Sequence, residues 1–353
     1  MGYRSSRDIT FSLTGHSRPF IIAELSANHN GSYETAKEII SLAHEHGANA
    51  VKFQTYNPDT ITLNSDLPAF TVKGGTWDGR KLYDLYSEGA MPWEWQPDLI
   101  KHAKSLGLYA ISSVFDEESV DFLSDCDIDA LKIASFELTH IPLIKKVASS
   151  GYPVIMSTGM ASMEEVKESV KLLTAHRCQV ALLHCVSSYP ASVDEYNISA
   201  IKSLRREFSC TVGISDHCLD PLGSVVAVAL GAKIIEKHFT RSRLEGGLDS
   251  SFSIEPIELL TLRKQVDQAY LSLGSGEISC NSTEVESRSY RRSIYTCKTV
   301  AAGERFSREN IKVVRPGHGL HPRHFENLLG RVSGRAIPHG HPITAADMED
   351  EIL

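Results

Sequence analysis

Ionisable side chains occur inside short apolar segments of this sequence that have the composition of buried strands. In the segment KIIEKHFT, Glu236, Lys237 and His238 stand beside two isoleucines and a phenylalanine. Residues two apart on a strand share a face, so we expect Glu236 and His238 to point to one side and Lys237 to the other. A carboxylate and an imidazole near the end of a strand are groups that can bind a metal or move a proton.

Two further strand-like segments, AVKFQT and ALKIAS, carry Lys52 and Lys132 amid apolar neighbours. A lone lysine in a strand is more often exposed at its ammonium end. Two such lysines near the carboxyl ends of their segments favour a cationic site for a phosphate or a carboxylate, to which serine hydroxyls can also donate. Serines lie at or just after the ends of other segments, namely Ser113, Ser135, Ser157, Ser187 and Ser215.

His217 and His238 lie at the ends of two consecutive strand-like segments, so we expect their rings to approach each other. Two imidazoles, completed by oxygen ligands from water or substrate, suit a divalent ion such as Mn²⁺. The seven cysteines form no C-x-x-C pair, which disfavours a thiolate-rich zinc site and favours a reducing compartment. A structural role for each histidine is the alternative.

Glu24 and Glu137 are the carboxylates best placed for acid, base or hydroxyl-binding roles, because each lies at or just after the end of a predicted strand. Each could instead form a structural salt bridge with Lys52 or Lys132. Both interpretations predict a perturbed carboxylate pKa.

The segments that must position these groups alternate regularly up to about residue 275. Eight strand-like segments, each followed by an amphipathic segment, predict an α/β fold, a (β/α)₈ TIM barrel. No G-x-G-x-x-G or P-loop pattern is present, which disfavours an open doubly wound sheet. The strands are predicted at residues 19–25, 49–55, 108–114, 130–135, 153–158, 179–186, 210–215 and 233–239.

Three local features refine this prediction. Ser32 is the expected N-cap of a helix that ends before Gly47, and Ser162 opens a capping box with Glu165. Residues 56–95 form a long insertion rich in glycine and aromatic residues, which we interpret as a folded partial lid on the catalytic face of the barrel.

The alternation stops near residue 275. We predict a TIM-barrel domain at residues 1–275, a polar linker at 276–288 and a small domain of short strands and turns at 289–353. The net charge of −8 offers no cationic surface for nucleic acid. The lack of an apolar export segment or a long apolar run favours a cytoplasmic protein that does not enter a membrane.

Nine motifs are spread over the chain from about residue 18 to its C-terminus: FIIAELSANHNGS, AVKFQTY, KIASFE, PVIMSTGMAS, ALLHCVSSYP, GISDH, GAKIIEKHFT, GGLDSSFS and RPGHGL. In order and spacing they resemble the sialic acid synthase family of phosphoenolpyruvate-condensing enzymes. The resemblance implies that the small domain is an antifreeze-protein-like (SAF) domain. Within the family, KGGTWDGRKLYDLY, GGLDSSFSIEP and RPGHGLHPRH are most similar to pseudaminic acid synthases, with neuraminic or legionaminic acid synthases as the alternative.

The resemblance also implies a role for each candidate residue. It implies that phosphoenolpyruvate is held by Lys52, Ser113, Lys132, Ser135, Ser157, Ser187 and Ser215. It implies a divalent metal, Mn²⁺ first and Mg²⁺ or Co²⁺ as alternatives, on His217 and His238. It implies that an N-acetylated amino sugar is faced by Glu24, Gln54, Glu137, Tyr189 and Asp249. Arg315 would reach that sugar from the partner subunit of a domain-swapped homodimer.

The reaction implied is condensation of phosphoenolpyruvate with the open-chain sugar, followed by addition of water, assisted by Glu137, and loss of phosphate by C–O cleavage. Two other functions stay open at this point. A sugar-acid binding protein without activity is disfavoured by the metal-ligating histidine pair. A barrel aldolase would instead form a Schiff base on Lys132 or Lys237.

Overall fold

The structure is a computed structural model that describes residues 18–187 and 192–348. The chain divides into two compact units, which part between Gly274 and Ser275. Within the described ranges no helix is long and apolar enough to cross a membrane.

The first unit is a closed barrel in which eight parallel strands follow each other in sequence order. This confirms the predicted TIM barrel. Each observed strand lies within the segment predicted for it. The strands are β1 (Phe20–Glu24), β2 (Ala50–Thr55), β3 (Tyr109–Val114), β4 (Ala130–Ile133), β5 (Val154–Ser157), β6 (Val180–Cys185), β7 (Thr211–Ser215) and β8 (Ile234–His238).

Helices connect the strands and cover the outside of the barrel. Ser32 caps the first of them by accepting a hydrogen bond from the backbone N–H of Thr35, and Ser162 and Glu165 form the predicted capping box. The helices are α1 (Tyr33–Glu45), α2 (Pro58–Ile61), α3 (Leu82–Gly89), α4 (Gln96–Ser105), α5 (Glu117–Ser124), α6 (Ile141–Ser150), α7 (Met163–Ala175), α8 (Ala200–Glu207), α9 (Leu222–Ala229) and α10 (Pro256–Ser272).

The inward-facing side chains change from apolar to polar along the barrel strands. On six strands an apolar residue of the inner core is followed, two positions later, by a buried polar residue. These pairs are Ile22 and Glu24, Ala50 and Lys52, Ile111 and Ser113, Ala130 and Lys132, Ile155 and Ser157, and Ile234 and Glu236. Because residues two apart share a face, the apolar members fill the barrel and the polar members form a layer at the carboxyl ends of the strands.

The second unit has its own small apolar core. Its strands β9 (Ser293–Thr296) and β10 (Ile311–Val314) pair antiparallel, and its helix α11 spans Phe325–Leu328. The core consists of Ile294, Val300, Phe306, Ile311, Leu328, Ile337 and Ile343. This unit has the short strands and limited helix that the sequence predicts for residues 289–353.

Candidate active site

A cavity of about 590 Å³ lies at the carboxyl ends of the barrel strands. The structure places thirteen of the fifteen predicted site residues on its walls. They are Glu24, Lys52, Gln54, Ser113, Lys132, Ser135, Glu137, Ser157, Ser187, Ser215, His217, His238 and Asp249. These residues span more than 200 positions of sequence, and the closed barrel brings them together because each lies on a barrel strand or in a segment that follows one.

Two lysines and two glutamates form the charged floor of the cavity. Lys52 Nζ lies 2.6 Å from Glu24 Oε2 and 3.9 Å from Glu236 Oε1, and Lys132 Nζ lies 3.1 Å from Glu236 Oε1. The two lysines are only 3% and 2% exposed, which excludes the exposed-lysine interpretation. Glu24 therefore makes the salt bridge considered as an alternative, and it also lines the cavity.

Glu236 is a site residue whose pairing with the two lysines the sequence pattern did not indicate. Alternation placed it on the same face as His238, but in the structure it is the counter-ion that both lysines share. Burial acts to raise its pKa, yet Lys132 and Lys52 lower the pKa of Glu236 to about 2. It is therefore ionised at neutral pH and holds the two ammonium groups in place.

Lys237 lies on the opposite face of β8, as the alternation predicts. Its Nζ is 3.0 Å from Asp216 Oδ2 and also donates to the carbonyl of Cys218. Lys237 does not line the cavity, so a Schiff base at this position is incompatible with the structure.

Serine hydroxyls surround the lysines. Ser113 Oγ accepts a hydrogen bond of 2.9 Å from Lys52 Nζ, and Ser215 Oγ donates to Glu236 Oε1 over 3.1 Å. The Ser157 hydroxyl is buried and has no hydrogen-bond partner in the described part of the chain. A buried hydroxyl without a partner is costly, so this group is suited to donate to a ligand in the cavity.

Gly159 was missed by the sequence analysis, although it stands in the motif STGMAS. A Cβ atom at this position would collide with Ser187 Oγ and would lie 2.7 Å from Ser135 Oγ. The backbone N–H of Gly159 donates to Ser135 Oγ over 3.1 Å. Only glycine allows these two serines to approach the same point of the backbone.

His217 and His238 form a ring pair whose centroids lie 5.4 Å apart, at an interplanar angle of 57°. His217 Nδ1 donates to the carbonyl of Val186 over 3.0 Å, which leaves Nε2 as the nitrogen that can bind a metal when it is deprotonated. Burial acts to lower the pKa of His217, but hydrogen bonding and charge from Cys185 raise it, so a metal would have to displace a proton from this ring. Burial, with a further contribution from His217, lowers the pKa of His238 well below its usual value, which favours the neutral, ligating form.

The imidazoles of His217 and His238 fit a divalent ion whose coordination is completed by ligands from outside the protein. Across residues 18–187 and 192–348, no three His, Cys, Asp or Glu side chains come together in a group that could hold a metal. Two imidazoles would therefore be the protein's contribution to such a site, and oxygens of water or substrate would supply the other ligands, as Mn²⁺ and Mg²⁺ prefer.

Cys185 also lines the cavity and was not predicted as a site residue. Its Sγ lies 3.6 Å from Ser187 Oγ. Burial acts to raise its pKa, but hydrogen bonding and charge from His217 lower the pKa of Cys185 to about 7. No pattern in the sequence distinguished this cysteine from the other six.

Glu137 follows β4 in a short 3₁₀ turn and points into the cavity. Burial raises its pKa to about 7. Its Oε2 atom is buried without a hydrogen-bond partner among the described residues. A carboxyl group that titrates near neutral pH can act as an acid or a base in catalysis.

A chain of polar groups runs along one wall from β1 to the loop after β8. Gln54 Nε2 donates to Glu24 Oε1 over 2.9 Å and to Ser26 Oγ over 3.2 Å. Ser26 Oγ in turn donates to Asp249, which also accepts from the backbone N–H of Ala27 at 3.3 Å. Ser26 was not predicted, because nothing in the sequence links it to a residue 223 positions away.

Another part of the wall is apolar and comes largely from the insertion at residues 56–95. Trp77 Nε1 donates to the carbonyl of Leu248 over 3.0 Å, and Tyr56 OH donates to the carbonyl of Tyr86 over 3.2 Å. The insertion is thus folded against the cavity. Its apolar and aromatic lining residues are Tyr56, Ile61, Val72, Trp77, Leu82, Leu85 and Tyr86, and Phe115, Phe136 and Leu248 extend this wall.

Two predicted site residues are not in this cavity. Tyr189 lies outside the described residues. Arg315 belongs to the second unit, where it lines a pocket of about 770 Å³ together with Arg288, Arg291 and Arg292. The predicted contact of Arg315 with the sugar needs a partner subunit and stays a prediction.

Comparison with known proteins agrees with the resemblance found in the motifs. A model of the NeuB family matches residues 39–278, and a model of the SAF domain matches residues 291–349. The pseudaminic acid synthase of Campylobacter jejuni is 41% identical over 331 residues, which cover 94% of this chain and 96% of the relative. That of Helicobacter pylori is 35% identical over 333 residues, covering 94% and 98%.

Other synthases are also similar. The N,N'-diacetyllegionaminic acid synthase of Legionella pneumophila is 37% identical over 317 residues, covering 88% of this chain and 89% of the relative. The solved structure of an N-acetylneuraminic acid synthetase from Leptospira borgpetersenii is 31% identical with a TM-score of 0.70, covering 77% of this chain and 90% of that one. The chain therefore belongs to the NeuB family and carries a C-terminal SAF domain.

Proposed function

We propose that this protein is a pseudaminic acid synthase, which condenses phosphoenolpyruvate and water with a 2,4-diacetamido-2,4,6-trideoxy hexose. The products are pseudaminic acid, a nine-carbon 2-keto acid, and inorganic phosphate. The observation that carries the proposal is one cavity with a floor of buried lysines and serines and a wall of apolar side chains. The high similarity to the Campylobacter jejuni pseudaminic acid synthase supports the same conclusion.

The floor would bind phosphoenolpyruvate. Lys52 and Lys132 offer ammonium groups to its carboxylate and phosphate, and the nearby serine hydroxyls, such as the partnerless Ser157, donate hydrogen bonds. Glu236 holds both ammonium groups in place, so little reorganisation is needed when the anion enters.

The two side walls would bind the sugar. Asp249, Ser26 and Gln54 offer hydrogen bonds to hydroxyl and amide groups. The apolar wall contributed by residues 56–95 suits two acetamido methyl groups and a C6 methyl group better than a C6 hydroxyl, which would lose its water without gaining a partner. This favours a trideoxy diacetamido sugar over N-acetylmannosamine.

His217 and His238 would hold a divalent cation, Mn²⁺ first, whose charge, when bound, polarises the aldehyde oxygen of the open-chain sugar. The carbon–carbon bond forms between C3 of phosphoenolpyruvate and the aldehyde carbon, whose oxygen becomes a hydroxyl. Positive charge then develops at C2, and Glu24 and Glu236 in the cavity floor would offset it.

Water adds to C2, and we assign Glu137 as the base that accepts its proton, because this carboxyl titrates near pH 7. The bond between C2 and the phosphate oxygen then breaks and releases inorganic phosphate. Arg315 would contact the sugar from the partner subunit of a domain-swapped homodimer, and the reaction would take place in the cytoplasm.

Phosphate release with each candidate sugar in turn tests the proposal. The purified protein is incubated with phosphoenolpyruvate, Mn²⁺ and one sugar, and inorganic phosphate is measured. We expect the highest kcat/KM with the 2,4-diacetamido-2,4,6-trideoxy hexose that leads to pseudaminic acid. A higher value with the legionaminic acid precursor, the alternative supported by the Legionella relative, or with N-acetylmannosamine would overturn the assignment of the sugar.

A further inference from the structure

A buried ion pair joins the two residues that directly precede the candidate metal ligands. Asp216 comes before His217 at the end of β7, and Lys237 comes before His238 on β8. Lys237 Nζ lies 3.0 Å from Asp216 Oδ2, and the two side chains are 2% and 0% exposed. The histidines line the cavity, whereas the ion pair lies behind it.

Asp216 holds the turn that carries His217. Its Oδ1 accepts hydrogen bonds from Tyr196 OH and from the backbone N–H of Cys218, and its Oδ2 accepts from Ser224 Oγ and Lys237 Nζ. These donors come from the segment after β6, the turn itself, α9 and β8. With four donors, both oxygens of the Asp216 carboxylate have their hydrogen-bonding capacity filled, so Asp216 is not available as a metal ligand itself.

Lys237 ties the same turn to β8. It donates to the carbonyl of Cys218 as well as to Asp216, so it holds the turn on both sides of His217. The backbone N–H of Asp216 donates to the carbonyl of Glu236 over 2.9 Å and continues the β7–β8 pairing to this point. Motion of the turn relative to β8 would change the distance between the two imidazoles.

We propose that Asp216 and Lys237 are positioning residues that set the separation of His217 and His238 for a divalent cation. The inference rests on the proposed function, in which these histidines bind the metal. A bound metal requires its ligands to be held within about 0.5 Å, and groups behind the ligands supply that precision. An ion pair that served stability alone would not need to lie next to both ligands.

The test measures Mn²⁺ affinity in Lys237→Met, a side chain of similar length without the charge. Free Mn²⁺ is quantified by electron paramagnetic resonance during titration of the full-length protein, whose folding is checked by circular dichroism. We expect the dissociation constant to rise about tenfold or more, as is typical when groups behind metal ligands are changed.

Lys104→Met is the matched control. It removes a partly buried ion pair with Asp129, 3.2 Å away, and an exposed one with Asp127, 2.9 Å away, both outside the cavity. If ion pairs act here through general stability alone, both variants will change Mn²⁺ affinity alike. We expect the control to lower the melting temperature and to change the Mn²⁺ dissociation constant by less than about twofold.

Tyr196→Phe provides a milder change, because it removes one hydroxyl that donates to Asp216 and leaves the ring. We expect a severalfold weaker affinity for Mn²⁺, and this variant decides the matter if Lys237→Met does not fold. Unchanged Mn²⁺ affinity in the folded variant overturns the inference, and so does the absence of Mn²⁺ binding by the wild-type protein. Failure of the proposed reaction gives a different result: the wild-type protein then binds Mn²⁺ but releases no phosphate with any of the sugars.

Discussion

Replacing Glu137 by glutamine should stabilise the protein at high pH and inactivate it. The carboxyl group is mostly buried, and burial raises its pKa from the usual 4.5 to about 7. At about 1.4 kcal/mol for each pH unit, ionised Glu137 costs the folded state about 3 kcal/mol. Because the folded pKa is raised, the full stability is present below pH 4.5 and is lost as the pH rises through 7.

Glutamine is neutral at every pH and avoids this cost. We therefore expect Glu137→Gln to be more stable than the wild type by about 3 kcal/mol at pH 8.5 and nearly equal to it at pH 4.5. For a barrel of this size that difference corresponds to a rise in melting temperature on the order of 5 °C at pH 8.5. Thermal unfolding followed by circular dichroism at both pH values measures it.

Glu94→Gln is the control, because Glu94 is an exposed carboxylate in the same unit. It should show no such difference between the two pH values. The reasoning is refuted if Glu137→Gln changes the melting temperature by the same amount at pH 4.5 and pH 8.5, since the carboxyl would then not be held neutral by burial.

The same variant tests the catalytic assignment. If Glu137 accepts a proton from the attacking water, wild-type kcat/KM should rise with pH through about 7, because only the ionised form is a base. Glu137→Gln should lower kcat about 100-fold or more, and the rising limb should disappear. A variant with wild-type kcat would exclude this role.

Two further predictions concern the metal and the second unit. His238→Ala should lose Mn²⁺ binding and lower turnover by several orders of magnitude while the fold is retained, and wild-type activity in excess EDTA would contradict a metal requirement. Arg315→Ala should be inactive on its own, but a refolded mixture with His238→Ala should recover about a quarter of the wild-type activity, because each mixed dimer of a domain-swapped protein contains one complete site. No recovery in the mixture would argue that Arg315 serves its own subunit or none.

Much of the barrel and of its polar site follows from local sequence pattern. Each strand is short and buried, and its apolar run and flanking turns mark its position to within one or two residues. The period of two separates Glu236 and His238 from Lys237 without any knowledge of the fold. Since parallel strands in a barrel end at one face, the sequence alone also determines that Lys52, Lys132 and His238 meet there.

Only the tertiary structure decided which of these groups pair. Glu236 neutralises Lys132, 104 residues away, and Lys52 on a third strand, because barrel closure brings β2, β4 and β8 around one point. Asp249 contacts Ser26 because closure also pairs β1 with β8, whereas Asp216 meets Lys237 because β7 pairs with β8. Such contacts depend on strand register and on the path of loops between distant elements. Alternation along one strand identifies the face of a side chain, whereas closure of the barrel selects its partner.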